Sequence, residues 1–544
     1  MNETYDYIVV GAGSAGCVVA SRLSADSGSS VLLLEAGPSD WHPLIHVPAG
    51  YMHHVRNPSV NWMYETEPEP GLNDRRIFWP RGRVLGGSSS INGMVYIRGQ
   101  PEDYDGWRQL GNEGWAWEDV LPYFLRSEHN ERGASEFHAV GGPLNVSDIT
   151  ERHEISDAVI DALVGLGIPH CDVNGPEQEG CGYFQLTVKN GRRQSTAVAY
   201  LTPAKRRKNL SIRTNALVER VRFEGTRAAG VRFRIKSRTV DVDARREVIL
   251  CGGAVNSPQL LELSGVGDAA LLRRLGIPVV HELRGVGENL QDHFDTHCTY
   301  RITRPITINE RSRGFAAVVE AMKYVFQRKG ILTMAPGHIA AFVKTRPELA
   351  TPDVQYHILP ASFQRDRNAL EHQPGMSCVP CQLRPESRGS IHLKSPDPQV
   401  HPSIRPNYLD AEVDQRTAVE SLRFARRICE APALDRYRSH ELRPGPDVQT
   451  DDELLAYARE TGSTIYHPVG TCKMGRDGLS VVDHRLRVHG VQGLRVVDAS
   501  VMPTLVSGNT NAPAIMIGEK ASDMIIEDHR RGGHGVETGL SRAR

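Results

Sequence analysis

The first apolar run of the chain, Tyr7-Ile8-Val9-Val10, has no polar interruption, and a second, Val31-Leu32-Leu33-Leu34, follows after a helix-length segment. Uninterrupted β-type runs predict strands buried on both faces, the condition of a parallel sheet with helices above and below it. Between them stand Gly11-Ala12-Gly13-Ser14-Ala15-Gly16 and a helical pattern over Ser14–Leu23, and the second run ends on Glu35. This is a complete βαβ unit. Strand patterning recurs at Leu210–Arg213, at residues 218–223 and at residues 247–251, and Ser257-Pro258 predicts a helix start that Gly265 stops. Alternation at residues 353–359 and 389–393 predicts a half-buried antiparallel sheet, and helical spacing over residues 412–431 supplies a cover for it.

The spacing of the glycines carries chemistry. Gly11 permits a tight turn off the strand, Gly13 lets main chain approach a pyrophosphate, and Gly16 lets the helix pack closely on the sheet. Ser14 and Ala15 then open a helix whose positive end faces the phosphates. Glu35 stands where a carboxylate accepts from both ribose hydroxyls of an adenosine and repels an additional phosphate. The unit predicts a dinucleotide site without choosing between NAD and FAD.

At 544 residues the chain predicts two intertwined domains. With a net charge of -1 it has no long-range positive field, so nucleic acid is not an expected partner. The basic run Lys205-Arg206-Arg207-Lys208 reads as a solvated loop. Nine irregularly spaced cysteines predict reduced thiols, and Cys378-Val379-Pro380-Cys381 reads as buried strand with no metal site expected. No run reaches about 18 apolar residues, and a first strand starting near Tyr5 leaves no room for a cleavable signal. The expected location is cytoplasmic, with a peripheral membrane position left open. No pattern in the chain sets an oligomeric state.

Three further segments decide the cofactor. Residues 78–107 read FWPRGRVLGGSSSINGMVYIRGQPEDYDGW, residues 252–267 read GGAVNSPQLLELSGVG, and IYHPVGTCKMG begins at Ile465, with VSGNTNAPAIMIGEK following. In order and in length these resemble the glucose-methanol-choline (GMC) oxidoreductases, FAD-dependent alcohol dehydrogenases and oxidases, with the likeness running from about Tyr5 to Asp528. The resemblance implies an α/β fold: a Rossmann-like FAD-binding domain with an α+β substrate domain built on an antiparallel sheet. The FAD-binding domain is expected in three pieces, residues 1–150, 210–300 and 464–528, and the substrate domain in two, 151–209 and 301–463. Residues 529–544 are expected to be a disordered tail.

By the same resemblance FAD would be held by Gly11, Gly13, Ser14, Ala15, Gly16, Glu35, Ala36, Arg83, Gly87, Ser88, Asn92, Gly93, Val95, Asp498, Ala499, Asn509 and Asn511, with the backbone near Val218 meeting the adenine. Oxidising an alcohol needs a base for the hydroxyl proton, and a histidine titrating near neutrality suits it. The resemblance implies His467 in that role and Asn511 as its partner. Relatives that attach FAD covalently use a histidine where this chain has Ile91, so FAD is expected to be non-covalent; Gly93 stands where some choline oxidases carry serine. Choline-specific relatives place a glutamate near residues 335–342, where this chain has His338. The expected activity is oxidation of a primary alcohol to an aldehyde, with electrons passing to a quinone or another carrier. An oxidase using dioxygen and a flavin-containing lyase stay open as alternatives.

Overall fold

The computed structural model describes residues 3–364 and 369–540, with the side chains of residues 531–540 outside the described set. Strand β1 (Glu3–Val10) is buried from Asp6 onward and leads through the glycine turn into helix α1 (Ser14–Leu23) and strand β2 (Val31–Leu34). α1 and β2 have the bounds that the sequence predicts, while β1 starts four residues before its apolar run. β3 (Leu210–Arg213) adds in parallel outside β2, while β4 (Ala216–Glu224), β5 (Arg227–Ile235) and β6 (Arg238–Leu250) form an antiparallel meander. The long β6 returns beside β1 in parallel, giving the order β3-β2-β1-β6-β5-β4, with β7 (Leu494–Val496) also paired to β6. The carboxyl ends of β1, β2 and β6 therefore meet, the usual place for a ligand in an open α/β sheet.

Helix α2 (Gly253–Leu263) follows β6 and begins four residues before the Ser257-Pro258 start that the sequence suggests. Pro258 lies inside it and cannot donate to the carbonyl of Ala254. The Thr471 hydroxyl donates to that carbonyl instead (2.7 Å), so tertiary structure tolerates the proline.

A second sheet covers the carboxyl ends. Its antiparallel order is Arg438–Arg443, Cys298–Ile302, Gly375–Gln382, Val354–Leu359, Ile339–Val343 and Gly180–Tyr183. Its strands show why alternation matters. Val354, Tyr356 and Ile358 pack with Val159, Leu163, Ala425 and Ile428 from the helices on the outer face, whereas His357 and Leu359 line a cavity on the inner face. Residues 389–393 do not join this sheet; Ser390–His392 pairs only with Ser403–Arg405. The expected boundaries at 300 and 463 also shift, because Phe294–Asp295 already pairs with Ser463–Thr464 and with the second sheet. Likewise the boundary at 150 does not separate Leu144–Asp148 from Gln185–Leu186, which pair.

Three longer helices lie outside the sheets. Helix α3 (Gly314–Gln327) lies on the surface, α4 (Glu412–Glu430) covers the second sheet, and α5 (Asn511–Leu540) packs on α1. Buried Glu519 of α5 receives Arg22 of α1 through two bonds, 2.8 and 2.7 Å, and also Tyr200 and Arg126. The backbone of α5 continues as helix to Leu540, into the segment 529–544 expected as a disordered tail. Residues 541–544 lie outside the described residues. Among the described residues no helix is long and apolar enough to cross a membrane.

Candidate active site

One cavity of about 480 Å³ extends from the turn after β1 to a histidine corner beneath the second sheet. At the first end Gly11 has φ +98°, and a Cβ there would lie 2.5 Å from the carbonyl oxygen of Cys251. Gly16 does not line the cavity; a Cβ on it would lie 1.9 Å from the Gly11 oxygen, so it serves the close packing of helix on turn. Gly13 precedes α1 with no side-chain cap, and the first turn has no acidic residue, so the free N–H groups near Ser14 and Ala15 are turned on the cavity. Glu35 Oε2 accepts from the Ala12 N–H (2.9 Å) and Oε1 from the Gly37 N–H (2.8 Å). Burial pushes its carboxyl up to about 7, against the pull of those two donors.

Ala36, Val218, Gly87, Ser88, Asn92, Gly93, Val95, Asp498, Ala499, Asn509 and Asn511 all line the same cavity. Asp498 is fixed by protein donors, from Gly253 N–H (2.8 Å), Ser500 N–H (2.8 Å) and Ser257 Oγ (2.6 Å), and burial raises its carboxyl. Ile91 also faces the cavity, a hydrocarbon surface with no nucleophile. Arg83, expected at the cofactor, lies near enough to Glu35 for its charge to pull that carboxyl down. It does not line the cavity; its guanidinium lies over the Trp62 ring at 5.5 Å, and Arg81, two residues earlier, takes the lining position. An uncapped helix start, a glycine turn and a carboxylate at the end of β2 fit the pyrophosphate and adenosine of FAD, and the cavity continues past them for the remainder of the molecule.

At the other end four distant segments converge. Buried His293 places Nε2 3.2 Å from the Leu383 carbonyl oxygen and Nδ1 2.9 Å from Nδ1 of His467. A carbonyl only accepts, so His293 carries its proton on Nε2. Burial pushes its pKa down to about 3, so it is neutral and its Nδ1 accepts. His467 therefore donates from Nδ1 and keeps a lone pair on Nε2. The Asn509 amide donates to that Nε2 (3.2 Å), and its oxygen accepts from Gln355 Nε2 (3.2 Å). Asn511, the partner expected from sequence, is instead the first residue of α5, and its Oδ1 accepts from Ser14 Oγ (2.7 Å). The helix start turns Asn511 toward α1 and leaves Asn509, two residues earlier in the loop, beside the imidazole.

The backbone around His467 is tied down as well. Asp292 accepts from the His467 N–H (2.7 Å) and from the hydroxyls of Thr464 and Tyr408. Tyr466 adopts φ +70°, costly for a bulky residue, and is held by its N–H on Thr464 Oγ1 (2.7 Å) and by Arg81 on its carbonyl. Burial, followed by His293, His357 and Arg81, pushes the His467 pKa well below its usual value, which favours the neutral imidazole. His338 is not at the cavity: it is buried with Nδ1 3.1 Å from Ser156 Oγ.

Sequence reasoning missed His293, His357, Asp292 and Arg81. The signal available was a polar stretch, Gln291-Asp292-His293, with all three side chains buried between apolar neighbours. Among the described residues no group of three His, Cys, Asp or Glu is arranged to hold a metal.

A Rossmann-like sheet whose glycine turn opens on a cavity ending at a buried, neutral histidine defines a nucleotide-cofactor oxidoreductase. Residues 5–295 and 385–518 match the two family models described as GMC oxidoreductase. The chain belongs to the GMC oxidoreductase family. It is 46% identical over 530 residues to an alcohol dehydrogenase [acceptor] of Pseudomonas putida, covering 96% of each chain. It is 44% identical over 535 residues to the mitochondrial choline dehydrogenase of Mus musculus, covering 96% of this chain and 89% of that one. Among solved structures, pyridoxine 4-oxidase from Mesorbium loti is 31% identical with a TM-score of 0.87, covering 95% and 98% of the two chains. An FAD-dependent oxidoreductase from Chaetomium thermophilum is 27% identical with a TM-score of 0.89, covering 97% and 100%.

Proposed function

We propose that this enzyme oxidises a primary alcohol to the aldehyde, with FAD held without a covalent bond and electrons leaving to a carrier other than dioxygen. The observation that carries the reading is the lone pair of His467 Nε2, kept in the cavity beside the Asn509 amide by the proton order of the His293 pair. His467 Nε2 takes the hydroxyl proton of the substrate, Asn509 Nδ2 donates to the substrate oxygen, and the charge of half-buried Arg81 favours that oxygen as it becomes negative. Bound FAD supplies the hydride acceptor. Ile91 at the cavity wall supports the non-covalent cofactor, and the Pseudomonas putida relative named for an acceptor supports the choice of carrier.

A second reading, a cationic alcohol as substrate, is favoured by Asp295, which lines the cavity close enough to His357 to act on its charge. Anaerobic mixing of the holoenzyme with a panel of neutral alcohols and choline, following loss of flavin colour, separates the two. A neutral primary alcohol is expected to reduce the flavin fastest, and His467→Ala to slow that step about 100- to 10,000-fold with flavin content retained. Fastest reduction by choline supports the second reading. A His467→Ala enzyme that reduces its flavin at the wild-type rate removes the base from the proposal, and faster turnover with dioxygen than with an electron-accepting dye removes the carrier.

A further inference from the structure

Helix α3 carries its apolar residues outward. Phe315, Val318, Val319, Met322, Val325 and Phe326 are spaced as one helical face, and all are exposed, Phe315 by 82% and Phe326 by 77%. The inward face holds Tyr324, whose hydroxyl donates to the Gly191 carbonyl (3.1 Å), and Glu320, which accepts from Arg311 (2.6 Å) and from the Ile331 N–H (3.0 Å). Glu320 is the helix's only acidic residue, so its exposed face has no negative charge. Exposed Arg328 and Lys329 follow the helix, and exposed Lys189 and Arg192 flank the turn on which Tyr324 rests. A large apolar stripe with a cationic rim is the composition of a helix lying in a membrane interface.

The patch continues toward the active site. Arg193, at the end of the same turn, donates from its backbone N–H to the His46 carbonyl (3.0 Å) and from Nε to the Ile45 carbonyl (2.9 Å). That fastens the segment bearing Trp41, 75% exposed, together with exposed Leu44 and Met52. Met52 also lines the cavity, where it and Arg56 are the exposed lining residues. We propose that α3 and the Trp41–Met52 segment seat the protein on the surface of an anionic phospholipid bilayer, with the mouth of the cavity beside the lipid. A second copy of this chain is the poorer occupant: face-to-face pairing brings the cationic rims together with no exposed acid on the helix to answer them.

The test uses the FAD-loaded full chain in flotation with vesicles of phosphatidylcholine alone or with about one-third phosphatidylglycerol. The protein is expected to float with the anionic vesicles, and the pair Phe315→Asp and Phe326→Asp to lower that partition by about tenfold or more. Lys189→Glu with Lys329→Glu is expected to lower it by a similar factor on anionic vesicles only. Both pairs should keep flavin and dye-linked turnover in solution, which confirms that they fold and keeps this readout independent of the alcohol reaction. No flotation of the wild type, or flotation unchanged in both variants, overturns the proposal. So does a wild-type dimer, seen by light scattering, that becomes monomeric in the Phe variants without any vesicle binding.

Discussion

The two ends of the cavity are built on different principles. The nucleotide end uses main chain: the free N–H groups at the start of α1, glycines whose missing Cβ makes room, and one carboxylate held by two backbone donors, nearly all within residues 10–37. The histidine end uses side chains from four places in the chain, His293, His357, His467 and Asn509, linked through the hydrogen bonds of His467 to His293 and Asn509. A site of backbone groups is fixed as soon as one βαβ unit forms. One made of side chains exists only after both sheets have closed on each other.

The largest effect separating the two ends is expected from Gly11→Ala. It forces a Cβ to within 2.5 Å of a backbone oxygen at a positive φ, which destabilises the turn by about 3 kcal/mol and empties the cofactor site. Flavin absorbance per mole of protein and the thermal midpoint both report this. A variant with full flavin and an unchanged midpoint breaks the view that the turn is shaped by Cβ absence.

The two asparagines sharpen the comparison next. Asn509→Ala is expected to slow anaerobic flavin reduction by about 100-fold, as for loss of a donor to a developing oxyanion, with little change in the thermal midpoint. Asn511→Ala should do the reverse, losing about 1 kcal/mol at the start of α5 while reduction stays within a few fold. Equal kinetic losses in both would show that the helix start serves the reaction as well as the loop residue.

A graded effect is expected from acid, smaller in sum because the buried carboxyls of Glu35, Glu69 and Asp292, pushed up to about 7, 7 and 6, act against the buried histidines. His293, His338 and His357 are buried with pKa values pushed down to about 3, 3 and 4. Below about pH 6.5 the unfolded chain binds protons that the folded chain refuses, so stability is present above that pH and falls as pH drops, by up to about 1.4 kcal/mol per unit for each group. Glu35 has the opposite sign: its folded pKa is raised to about 7, so its contribution is present below its unfolded pKa and lost as pH rises through about 7 in the flavin-free protein. The thermal midpoint should therefore decline from pH 6.5 to 5, and a flat profile there would show that the histidine cluster is not held neutral. The reduction rate should stay nearly level from pH 6.5 upward, because His467 is already unprotonated.

Strand β1, helix α1 and strand β2 are legible because the apolar runs, the glycine spacing and the terminal Glu35 are all local signals. His467 is legible only through its resemblance to a longer family segment, since a lone His-Pro has no local mark of chemistry. Arg83 and Asn511 show the limit of reading by position. Each lies two residues from the side chain that reaches the expected place, Arg81 and Asn509, and the direction of a side chain in a loop or at a helix start is set by what packs against it.

By itself, then, the sequence determined the parallel strands around the dinucleotide turn, the turn itself and one alternating strand of the covering sheet, because backbone propensity and hydrophobic period act over a few neighbouring residues. Only the tertiary structure decided which face of the Val354–Leu359 strand meets the cavity, which nitrogen of His467 keeps its lone pair, and that α3 turns its apolar stripe outward. Those outcomes depend on burial and on hydrogen-bond partners tens to hundreds of residues away, and periodicity along one segment does not encode what the opposing segment will bring.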